Sequence, residues 1–191
     1  MTQVMRDEKG ARISVMSSFI AIAFVALCWV LLFKLNDVFF ASIGFSTHIS
    51  WIFLPAAIRM LSVLVFEWVG ALGLFFGALV TSDLFSDVDF STALALSTMS
   101  ALGPVVAVEI CSRWLGLSRT LRGLGPRQIC LFALVGAIFN VIPHNIYLYG
   151  SGLMSSPFEG LVPMFVGDLA GTAIVIYLTS LILKLVLPAR A

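Results

Sequence analysis

Long apolar runs separated by short charged clusters organise this chain, with no heptad repeat, low-complexity tract or domain linker between them. A bilayer core about 30 Å thick takes about 20 helical residues per crossing. The first such run is Val15 to Phe33, interrupted only by Ser17 and Ser18. Trp51 to Val80 is longer and contains Arg59 and the cluster Glu67-Trp68-Val69-Gly70. It reads as a hairpin of two short spans, 51–66 and 70–82, turning near Glu67. Ser91 to Cys111, Ile129 to Tyr147 and Leu161 to Leu187 complete the set. The pattern predicts an all-α integral membrane protein, a bundle of about six transmembrane helices in which residues 1–191 form a single domain. Leu35 to Ser50 is expected to be an outer loop, with Val38 to Phe45 apolar enough to lie in the interface or re-enter. The basic start and apolar run meet part of the signal-peptide pattern. The run is near full span length, however, and no clear A-x-A site follows, so it reads as an uncleaved anchor.

Charge then orients the spans. Arg6, Lys9 and Arg12 precede span one, while Arg113, Arg119, Arg122 and Arg127 lie between spans four and five. Lys184 and Arg190 close the chain. Asp83, Asp87 and Asp89 follow span three, and Glu159 follows span five. Cytoplasmic loops are the Lys/Arg-rich ones. Six spans with both termini cytoplasmic place these basic segments inside and both acidic loops outside, with Lys34 as the exception.

Composition agrees with a lipid solvent. The chain is 60% apolar and 11% charged, against roughly 45–50% and about 25% in soluble domains. Its net charge is +1, so no global field attracts polyanions, and nucleic acid is not an expected partner. Cys28, Cys111 and Cys130 lie in or beside apolar runs without CxxC spacing or a neighbouring His. They read as small buried hydrophobes rather than a disulfide framework or metal site, and no cofactor is expected. HExxH, GxSxG and P-loop motifs are absent, so an enzyme is unsupported.

The remaining chemistry lies inside the spans, where ionisable residues are costly and are candidate functional groups. At 1.5 Å per residue, Arg59 sits about 12 Å below Trp51 and Asp168 about 10 Å below Leu161, from the same side. Asn140 lies about 10 Å below Tyr147, with His144 and Asn145 nearer the surface. Burying either charge alone costs several kcal/mol, so a mutual salt bridge is expected. Two readings of this layer stand. In one, Arg59 and Asp168 clamp span two to span six while Asn140 and His144 bond backbone freed by Pro143. In the other, Arg59, Asn140, His144, Asn145 and Asp168 line a small outward-facing ligand pocket with Trp51 and Tyr147 at its mouth.

Pro55, Pro104 and Pro143 fall inside spans, where broken helices need protein or a water-filled cavity to satisfy backbone. Pro163 is a first-turn proline. Gly73-x-x-x-Gly77 and Gly167-x-x-x-Gly171 predict faces of close helix approach. Phe75-x-Gly77-x-Leu79 and Phe165-x-Gly167-x-Leu169 match across spans three and six, in the manner of a transporter's inverted repeats. Glu109 and Arg113 form an i,i+4 pair. Arg113, Arg119, Arg122 and Arg127 alternate with Trp114, Leu115, Leu117 and Leu121, a segment suited to anionic headgroups or to a docked protein partner. The alternative is ordinary positive-inside charge.

Trp51-x-x-x-Pro55-Ala56-Ala57, the run through Gly70, Gly73 and Gly77, and Val166-Gly167-Asp168-x-x-Gly171 resemble the bacterial membrane-associated sensor domain of the MASE type. That resemblance covers roughly Leu35 to Leu187. It implies a small-ligand sensing bundle in the bacterial inner membrane, here a stand-alone module acting through a separate partner. In length and span count the chain is also similar to the substrate-binding S components of energy-coupling-factor transporters, which implies a small-solute transporter or its binding subunit. A membrane scaffold docking a cytoplasmic protein through the arginine loop needs no pocket.

Overall fold

A computed structural model describes residues 2–46, 49–85, 89–114, 116 and 125–186. Asp87, Leu115, Leu117, Arg119, Leu121, Arg122, Leu187 and Arg190 lie outside the described residues, as do the side chains of Arg6, Lys9, Arg12 and Asp83. Five helices are long and apolar enough to cross a membrane: α1 (Thr2–Phe40), α2 (Ala56–Phe85), α3 (Phe90–Trp114), α4 (Pro126–Gly150) and α5 (Leu161–Val186).

Helix α1 continues past Phe33 to Phe40, so the first part of the loop expected at residues 35–50 is helix. The chain offers no Gly or Pro between Lys34 and Phe40 to stop the helix. A 3₁₀ turn (Ala41–Ile43) leads into β1 (Gly44–Ser46), which pairs antiparallel with β2 (Ile49–Ser50). Asn36, buried on the extension, accepts the backbone N–H of Leu54 through Oδ1 at 2.9 Å and so ties α1 to the segment between the ribbon and α2.

Helix α2 doubles back on itself. Glu67 leaves helical geometry with φ 52° and ψ −129°, the values of the first central residue of a type II′ turn. A Cβ on Gly70 would run into the backbone of Ser62, so the two limbs lie side by side. Trp29 supplies independent proof. Its ring faces the Arg59 guanidinium at 5.5 Å and its Nε1 donates to Thr81 at 3.0 Å. An unbroken helix would hold residues 59 and 81 about 33 Å apart.

The bundle therefore has an upper end, carrying the ribbon, Phe90, Gly150 and Leu161, and a lower end, carrying Glu67, Trp114 and Pro126. Each glycine pair seats a different neighbour. A Cβ on Gly73 would lie 2.6 Å from Val25 Cβ, and one on Gly77 would lie 2.7 Å from Trp29 Cβ. That face takes α1 as a helix. Gly167 and Gly171 instead abut the backbone of Ser50 and Phe53, and the Phe53 N–H donates to Gly167 O at 3.0 Å. The second face thus seats extended chain, correcting the expectation of a helix there. It has room for a backbone because neither glycine has a side chain.

Pro55 also differs from expectation. It ends the extended segment just before α2 rather than breaking a helix. Pro104 and Pro143 do lie inside α3 and α4. The Phe139 carbonyl, which Pro143 cannot bond, faces Gly103, where a Cβ would be 2.9 Å away. The core joins Val25 and Trp29 of α1 with Met60, Val63, Leu74 and Ala78 of both α2 limbs, Ala101 and Cys111 of α3, and Phe132 of α4. Cys28 is half-buried and Cys130 exposed, so only Cys111 matches the expected burial.

Candidate functional site

The polar layer forms where the first α2 limb, α4 and α5 meet. Glycine on either side of Asp168 lets α5 approach closely enough to bury that carboxylate. Arg59 Nη1 meets Asp168 Oδ2 at 2.8 Å, with both residues buried. The same Oδ2 accepts Asn140 Nδ2 at 2.7 Å. Because a carboxylate only accepts here, this contact assigns the Asn140 amide and leaves its Oδ1 without a partner. The Arg59 guanidinium lies over the rings of both Trp29 and Phe53, at 5.5 and 5.0 Å, with Nε unpartnered. The cation is thus held by one anion and two π faces.

Asn140 and His144 share one face of α4, four residues apart. His144 Nδ1 lies 2.7 Å from the Asn140 carbonyl, so Nδ1 carries the proton. Its Nε2 lies 3.4 Å from the Ser100 hydroxyl on α3. A cavity of about 140 Å³ opens above the ion pair, its lining including Arg59, Asp168, Asn140, His144, Ser100 and Thr81. A second cavity of about 60 Å³ lies on the opposite side, walled by Met60, Leu64, Phe132 and Ile176. Arg59 and Asp168 line both, so the pair forms a partition between them.

Three of the expected pocket residues lie elsewhere. Asn145 follows His144 on the helix and so points about 100° away. Its Nδ2 donates to the Val141 carbonyl at 2.9 Å and approaches Met164 Sδ at 3.0 Å. Trp51 is exposed and packs edge-on against Phe45 at 6.0 Å. Tyr147 donates to Thr92 Oγ1 at 3.2 Å, near the upper end of α3. In the arginine segment, Arg113 is exposed and pairs with Glu109, and Arg127 is exposed near the start of α4.

Sequence reasoning passed over Trp29, Phe53, Thr81 and Ser100. Trp29 carried little signal, because it lies four residues from the end of the expected first span, where interfacial tryptophans are common, and becomes central only as α1 runs on to Phe40. Thr81 and Ser100 carried little, because isolated hydroxyls in a span commonly bond their own helix. Comparison of the chain with family models, curated proteins and solved structures finds no match.

Proposed function

We propose that this chain is a membrane-embedded binding module of the bacterial inner membrane that takes a small ligand from its upper, outward-facing end. The observation that carries this reading is the 140 Å³ cavity set directly on a buried Arg59–Asp168 pair. Polar groups converging on a partly aromatic cleft are the usual make-up of a small-molecule site. The resemblance of Gly167-Asp168-x-x-Gly171 to the sensor family supports sensing as the purpose, with a partner protein reading the outcome. Exposed Arg113, Trp114 and Arg127 at the lower end are suited to that partner or to anionic lipid.

Six membrane passages accompany the reading. The first α2 limb spans about 16 Å as helix, and residues 51–53, ahead of the Phe53–Ala56 turn, add at most about 10 Å. Together they cover most of a bilayer core about 30 Å thick, and in this reading both termini fall on the cytoplasmic side with the basic segments. The test is thermal unfolding of purified protein across a broad metabolite panel. A stabilising compound whose effect vanishes in Asp168→Asn is the expected result. A panel without effect on the wild-type protein overturns the reading.

The second cavity favours transport as the other reading, since a solute passing the pair would enter it. Cysteines placed at Ala133 and Thr172, below the pair, decide the matter. Labelling by an impermeant thiol reagent applied from the upper side supports passage, and complete protection supports binding alone.

A further inference from the structure

We propose that the cavity selects an uncharged, ring-sized molecule bearing a group, such as a hydroxyl, that both donates and accepts hydrogen bonds; this rests on the binding reading above. Three observations converge on that class.

The first is size. A volume of about 140 Å³ is close to that of an engineered protein cavity of about 150 Å³ that holds benzene, so a single ring with a short substituent fits.

The second is charge. Among the described lining residues, Arg59 and Asp168 are the charged ones, and they neutralise each other at 2.8 Å. A ligand with net charge would enter a buried site holding no spare counter-charge, at a large desolvation cost. A neutral ligand meets no such cost.

The third is hydrogen-bonding polarity. Thr81 is committed, accepting from Trp29 Nε1 while its hydroxyl lies 3.1 and 3.0 Å from the carbonyls of Gly77 and Ala78. Asn140 Nδ2 is committed to Asp168, and His144 Nδ1 to a carbonyl. What remains is mixed: Asn140 Oδ1 is an acceptor and Arg59 Nε a donor without partners, the Ser82 hydroxyl can do either, and His144 Nε2 lies 3.4 Å from the Ser100 hydroxyl. The side chains of Trp29, Phe33 and Phe53 in the same lining supply apolar walls for the ring.

Three probes of one shape test the class: benzyl alcohol, benzoate and benzylammonium. Thermal unfolding is followed in lipid nanodiscs near neutral pH, with Ser100→Leu, which fills the cavity, measured alongside to subtract partitioning into lipid. Benzyl alcohol should raise the melting temperature of the wild-type protein but not of Ser100→Leu, and the two ions should have no effect. Asp168→Asn leaves Arg59 unpaired and should gain a response to benzoate. Arg59→Gln leaves Asp168 unpaired and should gain a response to benzylammonium. A wild-type protein stabilised by either ion as strongly as by the alcohol overturns the neutral class while leaving binding intact. Variants that fold but keep the wild-type preference overturn it too. Should neither single variant fold, the three wild-type responses decide. No response to any probe in any form, joined to a silent metabolite panel, overturns the binding reading itself.

Discussion

The Arg59–Asp168 pair concentrates the energetics of the site in two side chains. A buried pair gains little over a well-packed apolar replacement, but removing one partner strands a charge and costs about 3–5 kcal/mol. Asp168→Asn should therefore destabilise the protein strongly, by about 3 kcal/mol or more in reversible unfolding. Arg59→Met combined with Asp168→Leu should recover most of that loss. A double variant no more stable than the single would show that Arg59 and Asp168 are not energetically coupled. Recovery of stability without recovery of ligand response would separate the clamp from the site.

Among the elements, α2 depends on a residue poorly matched to its backbone. Glu67 occupies φ 52° and ψ −129°, a region that glycine enters freely and other residues enter at a cost of order 1–3 kcal/mol. Glu67→Gly should raise stability by about 1 kcal/mol, and a lower melting temperature would mean that the Glu67 side chain contributes more than the turn costs. At the start of α3, Asp89 accepts from the hydroxyls of Ser91 and Thr92 and from the Thr92 N–H. These bonds, the Ser91 hydroxyl first, hold its carboxyl down at about 2. A depressed carboxyl stabilises the fold above its unfolded value of about 4, and that contribution is lost as pH falls through the folded value. Melting temperature should therefore decline between about pH 4 and pH 2, and Asp89→Asn should flatten that decline.

At the scale of the whole molecule, burial is uneven and follows the bilayer. Leu178, Leu181, Ile182, Leu183, Leu185 and Val186 on α5 are all exposed, as are Phe19, Ile20, Phe24 and Leu27 on α1. Lipid is the natural solvent for such faces, and the polar residues lie between helices instead. The proposed count of six passages rests on the reversal at Glu67. Single cysteines at Trp68 and Trp114 should react with an impermeant reagent from one side of the membrane, and one at Ser151 from the other. Labelling of Trp68 and Ser151 positions from the same side would refute the six-passage arrangement.

What the sequence by itself determined is the solvent, the helical segments and the identity of the costly residues. Partition into lipid depends on local composition, so windows of apolar residues locate α1, α3, α4 and α5 with little ambiguity. Opposite charge at matched depth was likewise enough to link Arg59 with Asp168, although 109 residues separate them. Other features belong to the tertiary structure alone. The sequence pointed to a turn near Glu67, but the packing of Gly70 on Ser62 that holds it there is tertiary. Two identical Gly-x-x-x-Gly spacings receive a helix in one case and extended chain in the other, since spacing offers a groove without choosing its occupant. Asn145 has the same chemistry as Asn140 but lies a helical step of about 100° from His144, and the fold shows which face meets the site, since Asn145 bonds Val141 and Met164 instead. The cavity is a void left between α1, α2, α3, α4 and α5 once their side chains have packed, and no local property of the chain encodes a void.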